Sequence, residues 1–272
     1  MRTQRKARVG LQGQGPPVRC MSKSFKTVRT TGGTMGVFHQ DTRHFVQHLH
    51  PLANALWHAT HTFVVHGLPV STRMTVVRLS GDRLLLHSPI PIHAALRTEI
   101  EALGTVRYIV APSKTHHLFA PSCAAAFPQA ALFGAPGLRA KRPDLAALQD
   151  LPRPEEKAPW RPELEHLQIE GIPAGNETVW FHHPSRTLIV TDLVQWWQGD
   201  LPWQARAYAS LTGVRQRLAV ARTVRLLVRD RQAFQRSTQN MLQWPCSRLV
   251  MAHNAVIEAD AHAQLSQALA QM

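Results

Sequence analysis

Gly171-Ile172-Pro173-Ala174-Gly175-Asn176, running through Val179-Trp180-Phe181 into Leu188-Ile189-Val190-Thr191-Asp192, is the stretch that decides the fold. Its two apolar runs read as strands, with His183-Pro184-Ser185-Arg186 as the turn between them, and the second run stops on a carboxylate. His166 to Glu170 precedes them as a third strand of the same meander. Two other apolar runs end in the same way. Val106 to Ala111, stopped by Pro112, delivers Thr115-His116-His117, and Arg248 to Ala252 delivers His253-Asn254. Strand ends thus present three histidines and one aspartate. Imidazole nitrogen and carboxylate oxygen are ligands of zinc, iron or manganese, so His116, His117, Asp192 and His253 are candidate ligands of one divalent metal ion, with zinc the first expectation.

Outward from these strands the chain keeps a regular rhythm. Met74 to Leu79 and Arg83 to His87 flank Ser80-Gly81-Asp82 and predict a hairpin. His93 to Leu103 has helical spacing and stops at Gly104. Leu118 to Phe127 reads as a helix and Ala131 to Gly134 as a strand, so this half is β-β-α-β-α-β. Residues 141 to 163, dense in Pro, Glu, Lys and Arg, read as a solvent-exposed connection. Pro202 to about Trp244 reads as mostly helical and Ala259 to Met272 as a closing helix. Trp196, Trp197, Trp203 and Trp244 are expected to pack inside, and His87, His93, His166, His182 and His183 to be ordinary core or surface histidines.

Composition sets the limits. A chain of 272 residues with 44% apolar side chains closes a sizeable core. Its three cysteines show no CxxC spacing, which points to a reducing, cytoplasmic setting without disulfides. No run is long enough to span a bilayer, so no membrane partner is expected. The net charge of +14 raises nucleic acid as a partner, but its distribution weakens that reading. Residues 1–34 hold eight basic and no acidic residues. They read as a disordered basic tail or an over-called start, with the true start at Met21 or Met35. Residues 35–62 read as a helical extension and 63–272 as the main domain. The arginines from 206 to 236 read first as a solvated helix face, and second as a surface for an anionic substrate or RNA. A GxSxG elbow, a P-loop and a dinucleotide-binding glycine pattern are absent.

With these elements in order, the chain resembles the metallo-β-lactamase fold superfamily. In particular it resembles a branch known only as a domain of unknown function. The residues that carry this likeness are Thr72-Arg73-Met74-Thr75-Val76-Val77-Arg78-Leu79, Leu86-His87-Ser88-Pro89-Ile90-Pro91, His116-His117-Leu118-Phe119 and Pro184-Ser185-Arg186-Thr187-Leu188. The resemblance covers about residues 66 to 270. It implies an α/β (α+β) chain folded as a four-layer αββα sandwich.

The superfamily's His-x-His-x-Asp-His motif falls on Pro112 to His117. That alignment puts Pro112 and Lys114 in its first two histidine slots, His116 in the aspartate slot and His117 in the last. Its Gly-His-Thr-Pro-Gly element falls on Gly171 to Gly175, with Ile172 in place of the histidine. Asp192 matches the bridging aspartate and His253 the terminal histidine, with Asn254 where glycine is usual. The first metal site is thereby lost, and the second implies a mononuclear centre of His116, His117, Asp192 and His253. The resemblance implies a metal-dependent hydrolase of a small ester, thioester, lactone or phosphoester, or less favoured an oxidoreductase. Asp192 would ligate or orient the attacking water, and the Lys114 ammonium would stabilise developing negative charge. The competing reading is a relative that keeps the fold without turnover and serves as a binding or scaffold protein.

Overall fold

The Ser80-Gly81-Asp82 turn sits at one end of a mixed sheet. The computed structural model describes residues 47–153 and 156–272, all within the unit Phe38–Met272. The first half runs β1 (His50–Ala53), β2 (Leu56–Val65), β3 (Leu68–Leu79), β4 (Arg83–His87), α1 (Ala94–Leu103), β5 (Thr105–Ala111), α2 (Ala120–Ala126), β6 (Ala131–Gly134), α3 (Leu138–Lys141) and β7 (Leu148–Asp150). These strands form one sheet in sequential order, antiparallel from β1 to β4 and parallel from β4 to β7. The α1–β5 corner depends on Gly104. Its φ is 152°, and a Cβ there would stand 2.2 Å from the Asp82 carbonyl oxygen, which accepts the amide of Thr105 at 2.8 Å.

The second half runs β8 (Leu164–Gln168), β9 (Thr178–His182), β10 (Thr187–Val190), α4 (Trp203–Thr212), α5 (Arg222–Leu227), α6 (Arg231–Met241), β11 (Arg248–Met251), β12 (Val256–Ile257) and α7 (Ala261–Leu269). Its sheet has the order β12-β11-β10-β9-β8. The meander expected from the sequence is β8-β9-β10, antiparallel throughout, and β11 joins it parallel to β10.

Three apolar layers explain the stack. Leu56, Val77, Leu85 and Val110 of the first sheet meet Leu164, Trp180, Ile189 and Val250 of the second in a shared core. The other face of the first sheet packs on α1 and α2 through Met74, Leu84, Leu96, Ile100 and Cys123. The other face of the second packs on α6 and α7 through Val179, Leu249, Phe234 and Leu265. The result is the four-layer αββα sandwich, held by burial on both faces of each sheet.

Two expectations need correction. The extension expected to be helical over 35–62 holds no helix where it is described: it forms β1, a turn at Asn54–Ala55 and most of β2. β2 pairs with β3 along its whole length, from Leu56↔Val77 to Val65↔Leu68, and its Thr, Phe and Val residues suit a pleated strand. Its residues before 47, and the whole 1–34 tail, lie outside the described residues. The connection at 141–163 is not simply exposed, because it contributes edge strand β7 and buries Leu148, Leu151, Ala158 and Trp160. The region 202–244 is mostly helical, as expected, with a segment between α4 and α5 whose Ala219 bridges Gln195. Cys123 and Cys246 are free and buried, and Cys20 lies outside the described residues.

Candidate metal centre

β10 and β11 are parallel neighbours with Val190 opposite Met251, so the residues two places beyond each, Asp192 and His253, emerge side by side. The loop after β5 brings His116 to them from the first sheet. Its shape is set by Ser113, whose hydroxyl accepts the amides of Thr115 at 3.2 Å and His116 at 3.0 Å. The Lys114 amide donates to Gly175 O, and the Thr178 amide to Pro112 O, both at 2.7 Å. The loops at 112–117 and 171–178 are thereby pinned together.

The three side chains converge on one point. His253 Nε2 lies 3.1 Å from Asp192 Oδ1, and His116 Nε2 lies 3.4 Å from Asp192 Oδ2. Each imidazole is held from behind. His253 Nδ1 donates to Ser71 O at 2.8 Å, and His116 Nδ1 meets Ser88 Oγ at 3.0 Å. Thr115 Oγ1 donates to Asp192 Oδ2 at 2.9 Å. Burial opposes the ionisation of Asp192, but the charges and hydrogen bonds of His116 and His253 outweigh it and hold the carboxyl well below its ordinary range. The same contact acts in reverse on His253, where the Asp192 carboxylate overcomes burial and raises the imidazole above its usual value.

This donor set fits a divalent ion. Ligand atoms about 2.0–2.1 Å from zinc at tetrahedral angles stand roughly 3.3–3.4 Å apart, close to the spacing that Asp192 keeps to both imidazoles. All three ligand atoms lie within 4.8 Å of one another. In His253, the Nδ1–H given to the Ser71 carbonyl leaves Nε2 as the outward nitrogen, the usual support of a ligating histidine.

Two residues expected at the centre are elsewhere. His117 turns away, and its Nδ1 lies 3.0 Å from Arg142 Nη1. Burial, and then the Lys141 and Arg142 charges, push it down to about 4. Adjacent residues in this tight turn point apart, so only one imidazole of the pair enters. Lys114 Nζ donates to Pro173 O at 3.0 Å and packs against Gly137, so its ammonium serves the loop and does not face the cleft beside Asp192. His87 lies fully buried behind His116, where burial and that neighbour push it down to about 3. It remains neutral and adds no donor to the cluster. Asn254 does adopt the left-handed conformation expected of it, with φ 60°.

Two supporting residues escaped the sequence reading. Glu177, buried in the loop just before β9, accepts the amides of Thr191, Asp192 and Leu193 and so sets the direction of the Asp192 loop. Burial, and then the Asp192 charge, push its carboxyl up to about 7. Arg73, buried in β3, donates to the carbonyls of Met251, Asn254 and Ala255, clasping the loop that presents His253. For Arg73 a charge inside the β3 run was the available signal; Glu177, outside any strand, offered none.

Beside Asp192 opens a cleft of about 260 Å³ lined by Ile169, Ile172, Leu193, Tyr208, Val224 and Leu227 among others. Ile172, which stands where the resemblance expects a histidine, forms part of this apolar wall.

No curated protein matches the chain. Among solved structures, it is similar to a metallo-β-lactamase from Pontibacter korlensis at 15% identity and TM-score 0.58, over 82% of this chain and 97% of that one. A metallo-β-lactamase from Erythrobacter litoralis is similar at 13% identity and TM-score 0.57, over 82% and 96%. A flavodiiron core from Synechocystis is similar at 10% identity and TM-score 0.57, over 83% of this chain and 60% of that one. Likeness at these identities concerns the fold, which is that of the metallo-β-lactamases. The family described as a domain of unknown function, DUF4336, matches residues 53–202, more than half of the sequence, and the chain belongs to that family.

Proposed function

We propose that the protein is a hydrolase with a single metal ion held by His116, Asp192 and His253, acting on an acyl ester, thioester or lactone. The observation that carries this reading is the convergence of two anchored imidazoles on both oxygens of one half-buried aspartate. Zinc, iron or manganese bound there would supply a Lewis acid and a bound water of lowered pKa. Thr115 keeps the Asp192 carboxylate aimed, and Gln195 Nε2 approaches its other oxygen at 3.4 Å. The apolar cleft excludes water and receives a hydrocarbon substituent. Among its described lining residues there is no lysine or arginine, so a neutral acyl substrate suits it better than a phosphoester, and better than the anionic small molecule considered from charge alone.

A second reading has its own observation. Asp192 is already paired with both imidazoles, so the cluster is a complete polar network without a metal, as a non-catalytic binding or scaffold protein would keep it.

The test is an assay of zinc-, iron- and manganese-loaded protein against p-nitrophenyl esters of increasing chain length, a lactone, an acyl thioester and bis(p-nitrophenyl) phosphate. Turnover of the acyl substrates, rising with chain length and reduced roughly a hundredfold or more by Asp192→Asn, is the expected result. Equal background rates in the wild type and Asp192→Asn under all three metals would leave the non-catalytic reading.

A further inference from the structure

α4 buries Ala205, Ala209 and Thr212 and turns Trp203, Arg206 and Leu211 to the opposite side, as its 3.6-residue period requires. α5 lies against it, with Arg222 Nη1 donating to Leu211 O at 3.1 Å, and has no fully buried residue. Trp203, expected from the sequence to pack inside, is 68% exposed, with Leu211 at 72%, Leu226 at 79% and Leu227 at 42%. Of the six large apolar side chains exposed among the described residues, four lie on these two touching helices, a concentration that scattered surface hydrophobics do not show. Exposed Arg206, Arg222 and Arg229 lie on the same two helices and the turn after them. The acids from 200 to 248 are Asp200 and Asp230 alone, and the Asp230 carboxylate accepts the Ala233 amide to cap α6.

We propose that the α4–α5 face docks on an anionic lipid bilayer surface, with Trp203, Leu211, Leu226 and Leu227 entering the boundary of the acyl region and the arginines meeting headgroup phosphates. Bare aromatic and aliphatic side chains fringed by arginine suit that surface on both counts. Other occupants suit it less. A second copy would set arginine against arginine, and residues 1–34, basic and free of acids, would be repelled. Nucleic acid would use the arginines but has no place for four apolar chains. The sequence expects no membrane partner because nothing spans a bilayer, and no helix among the described residues is long and apolar enough to do so. Lying on the surface makes no such demand. Leu227 and Thr223 belong to both this face and the cleft, so docking sets the cleft mouth against the lipid. The inference goes beyond the hydrolase reading and does not depend on it.

Co-sedimentation of the full-length chain with vesicles of phosphatidylcholine, alone or mixed with phosphatidylglycerol, tests it. Binding to the mixed vesicles is expected to exceed binding to neutral ones roughly tenfold or more. It should fall by a similar factor in Trp203→Ser/Leu226→Ser and in Arg206→Gln/Arg229→Gln, with unchanged melting temperatures because these side chains are exposed. All variants keep the basic N-terminal residues, so equal sedimentation of wild type and variants would overturn the proposal, as would failure of the wild type to bind. Tighter binding to an RNA oligonucleotide, undiminished by Trp203→Ser/Leu226→Ser, would also overturn it and assign the arginines to nucleic acid. Metal-free protein serves equally well, so a silent hydrolase assay leaves this result readable.

Discussion

His116→Ala and Asp192→Ala each leave the protein without bound metal, whereas His117→Ala retains about one divalent ion per chain, as a single three-residue site requires. The contrast between neighbouring histidines follows from geometry. His116 Nε2 faces Asp192, while His117 lies against Arg142. Elemental mass spectrometry of protein purified without added metal, and again after zinc reconstitution, reads the outcome directly. Ligand removal also carries a thermodynamic signature. With free zinc at about a hundred times its dissociation constant, the wild type gains about 2.7 kcal/mol of apparent stability and the two alanine variants gain none. Loss of metal in His117→Ala with retention in His116→Ala would show that the loop after β5 presents the other imidazole. Wild-type protein that takes up none of the three metals would dispose of the centre altogether.

Trp160→Ala destabilises the fold by about 3–5 kcal/mol, the range for emptying a buried aromatic site. The Trp160 ring is fully buried between the sheets and meets Tyr108, Phe133, His166 and Trp180 at centroid distances of 5.8, 5.2, 5.5 and 5.1 Å. Its Nε1 donates to His166 Nδ1 at 3.3 Å, and His166 Nε2 meets Pro152 O at 2.9 Å. Truncation leaves a cavity and also breaks this chain of polar contacts within the core. Urea unfolding should show a lower midpoint with an unchanged slope. A loss below about 1 kcal/mol would mean that the two sheets close over the gap.

What could be read from the sequence followed the physics of periodicity. Strand segments buried on both faces, such as Ile109 to Ala111 and Leu188 to Val190, announce themselves as apolar runs. Because the centre lies at their ends, His116, Asp192 and His253 were visible from the same pattern. Trp160 was not, because its neighbours are Pro, Lys, Glu and Arg and its burial is decided by the facing sheet. β2 was missed because polar interruptions such as His58, His61 and Thr62 blur the apolar alternation, and its place is settled by pairing with β3. His117 and Lys114 were misplaced because a motif slot specifies a position along the chain, whereas a turn decides where each side chain points. Glu177 and Arg73 act through backbone groups, and such partners leave no spacing to read.

The Arg73 clasp bears on the order of events during folding. Arg73 belongs to one sheet and the carbonyls it holds lie at the end of β11 and just past it in the other. His116 and the Asp192–His253 pair are divided between the sheets in the same way. A chain that has built only one layer owns half of the proposed receptor, so a metal held there would latch an assembly already complete and would not seed one. Zinc should therefore leave the refolding rate unchanged and slow unfolding in proportion to its occupancy.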